Sequence, residues 1–174
     1  MARIAVLMDD WFEDVEYTGP ADAFKGSGHQ LIHVGIEKGK EISGKKGETR
    51  VRIDQSVADV SPDDFDALFI PGGYSPDKLR AHDEAVVFSA KFMESGKPVF
   101  TICHAPQLLI TARVLSGRKV TGWKSIIQDI KNAGAEFVDK EVVVDGNLVS
   151  SRQPSDIPAF VRAALEKLPQ TKNP

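Results

Sequence analysis

Residues 98–107 read Pro98-Val99-Phe100-Thr101-Ile102-Cys103-His104-Ala105-Pro106-Gln107. The apolar, β-branched run ends at Cys103 and a helical pattern begins just beyond it, which is typical of a strand, a sharp turn and a helix. The thiol would then stand at the apex of the turn, facing a helix N-terminus whose dipole and free N–H groups favour thiolate over thiol. Cys103 is therefore the candidate nucleophile of the chain.

His104 and the absence of other cysteines bear on that interpretation. A lone cysteine is more often an inert core residue. The position of Cys103 at the turn, and the adjacent imidazole that can accept a proton, favour a role as nucleophile instead. The sequence contains 1 Cys, so no intrachain disulfide forms, which fits a reducing compartment. We expect a cytoplasmic protein.

The composition predicts one globular domain over residues 1–174. Hydrophobic residues make up 41% and charged residues 27% of the chain, the balance of a folded rather than a disordered protein. A net charge of −3 and a pI near 5.8 argue against a nucleic-acid surface. No apolar run is long enough to cross a membrane, so we expect no membrane partner.

Apolar strand-like runs alternate with segments of helical spacing. The strand-like runs are residues 4–8, 31–36, 67–70, 99–102 and 142–144. The helical segments are residues 20–25, 77–95, 106–115, 125–133 and 158–168. Because several strands are apolar on both faces, this alternation predicts an α/β fold with a mostly parallel sheet and helices on both faces.

Two segments interrupt the alternation. Residues 40–54, with Gly44 and Gly47, predict a polar β-excursion. Residues 142–151 predict a C-terminal β-hairpin, because Asp145-Gly146 suits a type I′ turn.

Three predicted strand ends carry the candidate chemistry, since ligands of open α/β sheets bind at the carboxyl ends of strands. These ends are residues 9–16, 71–77 and 103–104. Gly72-Gly73 can turn backbone N–H groups toward an oxyanion, because no Cβ blocks the approach, or can simply form a tight turn.

The acid and base that would serve Cys103 stay open at this point. Glu13 and Asp77 are candidates, yet an acid at a helix start is a common feature, and for Asp77 the sequence alone favours a helix cap after Pro76. No histidine follows His104, which excludes a triad with a distant C-terminal base and argues against a glutamine amidotransferase. The 4 histidines lack metal-ligand spacing, so we predict no metal site, and we assign no cofactor.

A set of motifs runs in order from the first predicted strand to the last helix. They are Phe12-Glu13-Asp14-Val15-Glu16, Asp66-Ala67-Leu68-Phe69-Ile70-Pro71-Gly72-Gly73, Gly96-Lys97-Pro98-Val99, Ile102-Cys103-His104-Ala105-Pro106-Gln107, Asn132-Ala133-Gly134-Ala135 and Val142-Val143-Val144-Asp145-Gly146-Asn147. Together they resemble the PfpI intracellular protease (ThiJ) family, in its bacterial general-stress branch.

The resemblance implies a flavodoxin-like sandwich that forms homodimers or larger homo-oligomers. It implies that Cys103 is the nucleophile, that His104 is its partner, and that Glu13 matches the acid hydrogen-bonded to the sulfur. Asp77 occupies the position from which a glutamate of a neighbouring subunit reaches the histidine in protease-named members. The backbone N–H groups of Gly73 and His104 would form the oxyanion hole.

Two positions depart from the family pattern. Asp77 has a side chain shorter than glutamate, which makes reach across an interface less assured. Ala105 replaces the usual glycine after Cys-His, and its Cβ narrows the turn.

Three functions remain as alternatives. In the favoured one, Cys103 attacks the aldehyde or hemiaminal carbon of a small reactive carbonyl or a glycated protein group, Glu13 or His104 moves protons, and a hydroxy acid leaves. The second is an intracellular peptidase that uses Cys103, His104 and Asp77 on peptides. The third is a non-enzymatic redox sensor or holdase in which the Cys103 thiol is oxidised beside Glu13.

Overall fold

A computed structural model describes residues 1–169 as a mixed α/β architecture. Its strands are β1 (Arg3–Leu7), β2 (Gln30–Gly35), β3 (Glu41–Ser43), β4 (Arg50–Arg52), β5 (Gln55–Ser56), β6 (Ala67–Ile70), β7 (Val99–Ile102), β8 (Lys119–Val120), β9 (Glu136–Phe137), β10 (Val143–Asp145) and β11 (Leu148–Ser151). A 7-stranded sheet has the order β10-β11-β7-β6-β1-β2-β5. Every pairing in it is parallel except that of β10 with β11.

The helices lie between the strands in sequence. They are α1 (Asp14–Gly26), α2 (Ser75–Leu79), α3 (Asp83–Glu94), α4 (Pro106–Thr111), α5 (Ile127–Asn132) and α6 (Ile157–Lys167). Single 3-10 turns occur at Val57–Asp59, Pro62–Asp64, Lys124–Ile126 and Pro154–Asp156. Among residues 1–169, no helix is both long enough and apolar enough to cross a membrane.

Strand β1 shows why both faces of the sheet are covered. Leu7 belongs to a core that includes Phe88 of α3. Val6, its neighbour in the chain, belongs to a second core that includes Phe24 of α1 and Phe160 of α6. Successive residues of a strand point to opposite faces, so an apolar strand buries both faces only between two helical layers. The predicted sandwich with a mostly parallel sheet is confirmed.

Both predicted interruptions are hairpins. Strands β3 and β4 pair antiparallel within residues 40–54, and β10 pairs antiparallel with β11 around Gly146, whose φ is 57°. The two central residues of the turn are Gly146 and Asn147, and of these only Gly146 has a positive φ. This pattern is typical of a type II′ turn, so the hairpin is confirmed but the type I′ turn predicted from Asp145-Gly146 is wrong. The parallel pair β8–β9 was not predicted, because two-residue strands leave no periodic signal.

Two helix predictions need correction. Residues 77–95 form two helices, since α2 ends at Leu79 and the backbone at His82 is extended, with φ −110° and ψ 115°. Asp83 and Glu84 then supply negative charge in the first turn of α3, which favours a new helix start there. The predicted helix at residues 20–25 is the second half of α1, which contains Pro20 in its interior.

The three predicted strand ends converge at the carboxyl edge of the sheet. Phe12, just after β1, forms isolated bridges with Gly44 in the β3–β4 hairpin and with Gly73 after β6. Cys103 follows β7, which pairs with β6. Segments far apart in sequence therefore surround one position above the sheet.

Candidate active site

Cys103 occupies the sharp turn between β7 and α4, as the sequence predicted. Its φ of 61° is uncommon for a residue with a side chain. Its N–H donates to the Ser151 carbonyl at 3.0 Å, and its carbonyl accepts from the Trp123 N–H at 2.9 Å. These bonds hold the backbone of Cys103 in its left-handed conformation. Such strained conformations are concentrated at functional sites. The residue is 7% exposed.

The imidazole of His104 lies between the thiol and a serine. Its Nδ1 is 3.2 Å from Cys103 Sγ, and its Nε2 is 3.2 Å from Ser125 Oγ. Burial, followed by the positive charge of Lys45, lowers the pKa of His104, while the charge of Asp77 opposes that effect. The ring is therefore neutral at pH 7, with one nitrogen carrying a proton and the other able to accept one.

Glu16 is the carboxyl group that faces the thiol. It lies in the first turn of α1, is completely buried, and faces the Cys103 thiol and the Gly72 backbone. Neither of its carboxyl oxygens has another partner of good hydrogen-bond geometry within residues 1–169. A buried carboxyl group left in this state is costly unless it is protonated or used in chemistry.

Glu13, which the resemblance placed at the sulfur, makes a different contact. Its carboxylate pairs with Lys45 at 2.6 Å and lies 3.7 Å from Lys46. Glu13 precedes α1 in extended conformation, with φ −72° and ψ 116°. Its side chain therefore lies against the β3–β4 hairpin and not on the face of α1 that contacts the thiol. The expected contact of Glu13 with the sulfur is corrected to Glu16.

The sequence carried a signal for Glu16. Helical spacing places it on the same face as Pro20 and Phe24, which are both buried. An acidic residue at the start of an apolar helix face is unusual for a structural position. That pattern, rather than the motif alone, identifies the acid that points inward.

The thiol and the carboxyl group influence each other. Burial, then the charge of Glu13, raises the pKa of Glu16 to about 8. Burial, then the charge of Glu16, raises the pKa of Cys103, while the backbone N–H groups of Gly73 and His104 lower it. The prediction that the turn favours thiolate is thus wrong in its net direction, because enclosure outweighs the N–H groups. The thiol needs a proton acceptor, and a protonated Glu16 removes the repulsion.

The other two predicted site residues differ in how they meet the site: Gly73 contacts the Cys103 sulfur, whereas Asp77 does not touch His104. Gly73 has a φ of 80°, and its N–H is directed at the Cys103 sulfur together with that of His104. Asp77 lies on α2 with its side chain exposed, close enough to affect His104 by charge but without a hydrogen bond to it. The roles of oxyanion donor and of an acid contributed by a neighbouring subunit stay predictions.

The fold and the site together define a class of protein. It is a flavodoxin-like α/β sandwich with a single cysteine on a strand-to-helix turn at the carboxyl edge of the sheet, flanked by a buried carboxyl group and a neutral imidazole. Such a set can form a covalent bond to an electrophilic carbon and move protons on both sides of it.

The chain belongs to the DJ-1/PfpI family, which it matches over residues 2–167. It is 57% identical over 167 residues to protein/nucleic acid deglycase 2 of Escherichia coli (strain K12), covering 95% of this chain and 97% of that one. The identity and both coverages are the same for general stress protein 18 of Bacillus subtilis (strain 168).

A solved structure from Anabaena variabilis shares the fold. That protein contains a DJ-1/ThiJ/PfpI-like domain and a ferritin-like domain. It superposes with a TM-score of 0.94 at 35% identity, and the match covers 100% of this chain. This chain spans 52% of that longer protein.

Proposed function

We propose that the protein is a cysteine-dependent hydrolase that removes reactive carbonyls, of glyoxalase or deglycase type. The observation that carries the proposal is the environment of Cys103, with the buried Glu16 carboxyl group facing it and His104 Nδ1 3.2 Å from its sulfur. One nucleophile with an acid on one side and a base on the other suits a carbonyl substrate whose protons must be moved.

The first step is addition of sulfur to carbon. His104 Nδ1 accepts the thiol proton as Sγ attacks the aldehyde carbon of methylglyoxal. The carbonyl oxygen takes its proton from the Glu16 carboxyl group to give a hemithioacetal, which leaves Glu16 as a carboxylate. With a hemiaminal substrate, the same attack expels the amine, which leaves with a proton. The N–H groups of Gly73 and His104, which are directed at the sulfur, would donate to the oxygen where negative charge develops.

The second step moves a proton between adjacent carbons. A base takes the proton from the sulfur-bearing carbon and returns it to the neighbouring carbon, while the hydroxyl proton of the first carbon moves to the ketone oxygen of the second. The hemithioacetal thereby becomes, through an enediol, a thioester of lactate. We assign this transfer to Glu16, because a pKa near 8 lets a carboxyl group exchange a proton at neutral pH. One carbon is oxidised as its neighbour is reduced, so no external oxidant is needed, and water then releases lactate from Cys103.

The relatives support a function of deglycase type. One is named a protein/nucleic acid deglycase and another a general stress protein, and both align over nearly the whole chain. We extend the proposal to a homodimer or higher homo-oligomer in the cytoplasm, acting on small carbonyls or glycated amines. Asp77 of one subunit near His104 of another would be the arrangement that a peptidase requires.

The test measures release of lactate from methylglyoxal, from methylglyoxal-treated N-acetyl-lysine and from methylglyoxal-treated guanosine. Lactate is the product to follow, because hemiaminals release free methylglyoxal spontaneously and its disappearance alone is ambiguous. We expect wild type to turn over and Cys103→Ala to be inactive, with a fluorescent casein left intact by both. Casein cleavage that requires Cys103 would favour the peptidase, and a reactive thiol without any turnover would favour the redox sensor.

A further inference from the structure

Ser125 occupies the position next to His104 that a triad normally reserves for an acid. His104 Nδ1 is committed to the Cys103 sulfur at 3.2 Å, so Nε2 is the atom that a third residue must orient. Ser125 Oγ lies 3.2 Å from that Nε2, within the same chain. The family resemblance implied instead that Asp77 occupies the position of the acid that orients His104.

The backbone around Ser125 is fixed to the turn that carries the thiol. Ser125 is the central residue of the 3-10 turn Lys124–Ile126. The Trp123 N–H just before it donates to the Cys103 carbonyl at 2.9 Å, and Ile126 just after it is buried in the core. The Trp123 ring also lies beside the His104 ring, with centroids 6.4 Å apart. The hydroxyl therefore reaches Nε2 from a segment that is anchored on both sides.

We propose that Ser125 is a positioning residue for His104, and this inference rests on the proposed function. Its Oγ accepts a hydrogen bond from the Nε2–H group of the neutral ring, which leaves the lone pair of Nδ1 free to take the thiol proton. When the ring becomes imidazolium, the same bond gains strength because its donor is now charged. The exposed hydroxyl keeps its own hydrogen for water.

Other charged groups near His104 change its pKa without touching the ring. Lys45 lowers and Asp77 raises the pKa of the ring by charge alone, and Asp77 has no hydrogen bond to it. The Cys103 thiol lies at Nδ1, and the Glu16 carboxyl group lies beyond it, near the charges of Glu13 and Lys45. Ser125 is thus the direct partner of Nε2, and the orientation of the base requires no second subunit.

The experiment compares Ser125→Ala with Ser125→Thr, which keeps a hydroxyl. Lys124→Ala is the matched control, because Lys124 is exposed in the same turn and its ammonium group lies over the Trp123 ring. Two readouts are followed against pH: kcat and KM for lactate release, and the alkylation rate of the single cysteine by iodoacetamide. The alkylation rate reports on proton acceptance even if no lactate forms, so failure of the proposed function is recognised separately.

Loss of one hydrogen bond to an ionised group corresponds to about a tenfold effect. We expect Ser125→Ala to lower kcat about tenfold at pH 7 with KM unchanged. The acid limb of both pH profiles should move to lower pH, because imidazolium loses more than the neutral ring does. Ser125→Thr and Lys124→Ala should stay near wild type. An unmoved acid limb in Ser125→Ala, or a threonine variant as impaired as alanine, would overturn the proposal.

Discussion

The Glu16 carboxyl group and the Cys103 thiol share a buried space that exists because residue 72 has no side chain. A Cβ on Gly72 would overlap the Glu16 carboxyl oxygen and lie 2.8 Å from Cys103 Cβ. The tight passage from β6 to α2 therefore does more than turn the chain. It leaves room for an acid from α1 to reach a thiol that follows β7.

Gly72→Ala should consequently damage the site itself. The added methyl group meets the carboxyl group, the cysteine and the Ile102 carbonyl oxygen, which lies 2.9 Å away, so we expect a loss of roughly 1–3 kcal/mol in the free energy of unfolding. Lactate release should fall more steeply than stability, because Glu16 is displaced. Urea unfolding and kcat measure the two effects.

Gly26→Ala is the control for that change. Gly26 ends α1, and a Cβ there has nothing within 4 Å. Alanine should leave activity unchanged and raise stability by up to about 1 kcal/mol. Equal behaviour of the two alanine variants would show that the space at Gly72 is unimportant.

The pKa of Glu16 predicts how stability depends on pH. The pKa is about 8 in the folded protein against 4.5 for a free side chain, so folding takes up a proton between these values. Glu16 therefore contributes stability below pH 4.5, and that contribution is lost as pH rises through 8. The slope approaches about 1.4 kcal/mol per pH unit in that window.

Glu16→Gln removes this dependence. Relative to Glu16→Gln, the unfolding free energy of wild type should fall steadily from pH 5 to about pH 8. Above pH 8 the difference between the two proteins should stay constant. Other titrating groups are common to both proteins and cancel. Parallel stability curves across this range would mean that Glu16 is ionised in the fold.

Arg152 tests the difference between a buried and an exposed ion pair. Its Nε lies 2.9 Å from the Asp156 carboxylate, which is 4% exposed, and its Nη1 lies 3.0 Å from Asp139, which is 76% exposed. Asp156→Ala should cost about 2–3 kcal/mol, because it also leaves the Arg152 backbone N–H without its acceptor. Asp139→Ala should cost less than about 1 kcal/mol in the same urea unfolding assay. Similar losses in both variants would contradict this account.

The sequence was sufficient to predict the fold because its signals are local and strong. Doubly apolar strands such as β6 predicted a sheet covered on both faces, and the Asp-Gly pair predicted the β10–β11 hairpin. The turn at Cys103 was equally predictable, since a strand ended and a helix began on either side of it.

The acid partner of the thiol was harder to predict, because it depends on which way a helix faces. Glu13 and Glu16 are separated by only two residues, yet one turns toward Lys45 and the other toward Cys103. Ser125 was also not identified, because its contact with His104 joins a loop after β8 to the turn after β7. The Ser125 contact arises from the packing of distant segments and, unlike the helical spacing of Glu16, leaves no pattern in the sequence.

The most direct test of the account compares kcat for lactate release in Glu16→Gln and Glu13→Gln at neutral pH. We expect Glu16→Gln to lose roughly 10²–10⁴-fold, the usual worth of a general acid or base, and Glu13→Gln to lose far less, because its partner is Lys45. Each variant should still react with iodoacetamide at its single cysteine. A Glu16→Gln protein that releases lactate as fast as wild type, with Glu13→Gln inactive, would contradict the assignment of Glu16 as the acid of the site.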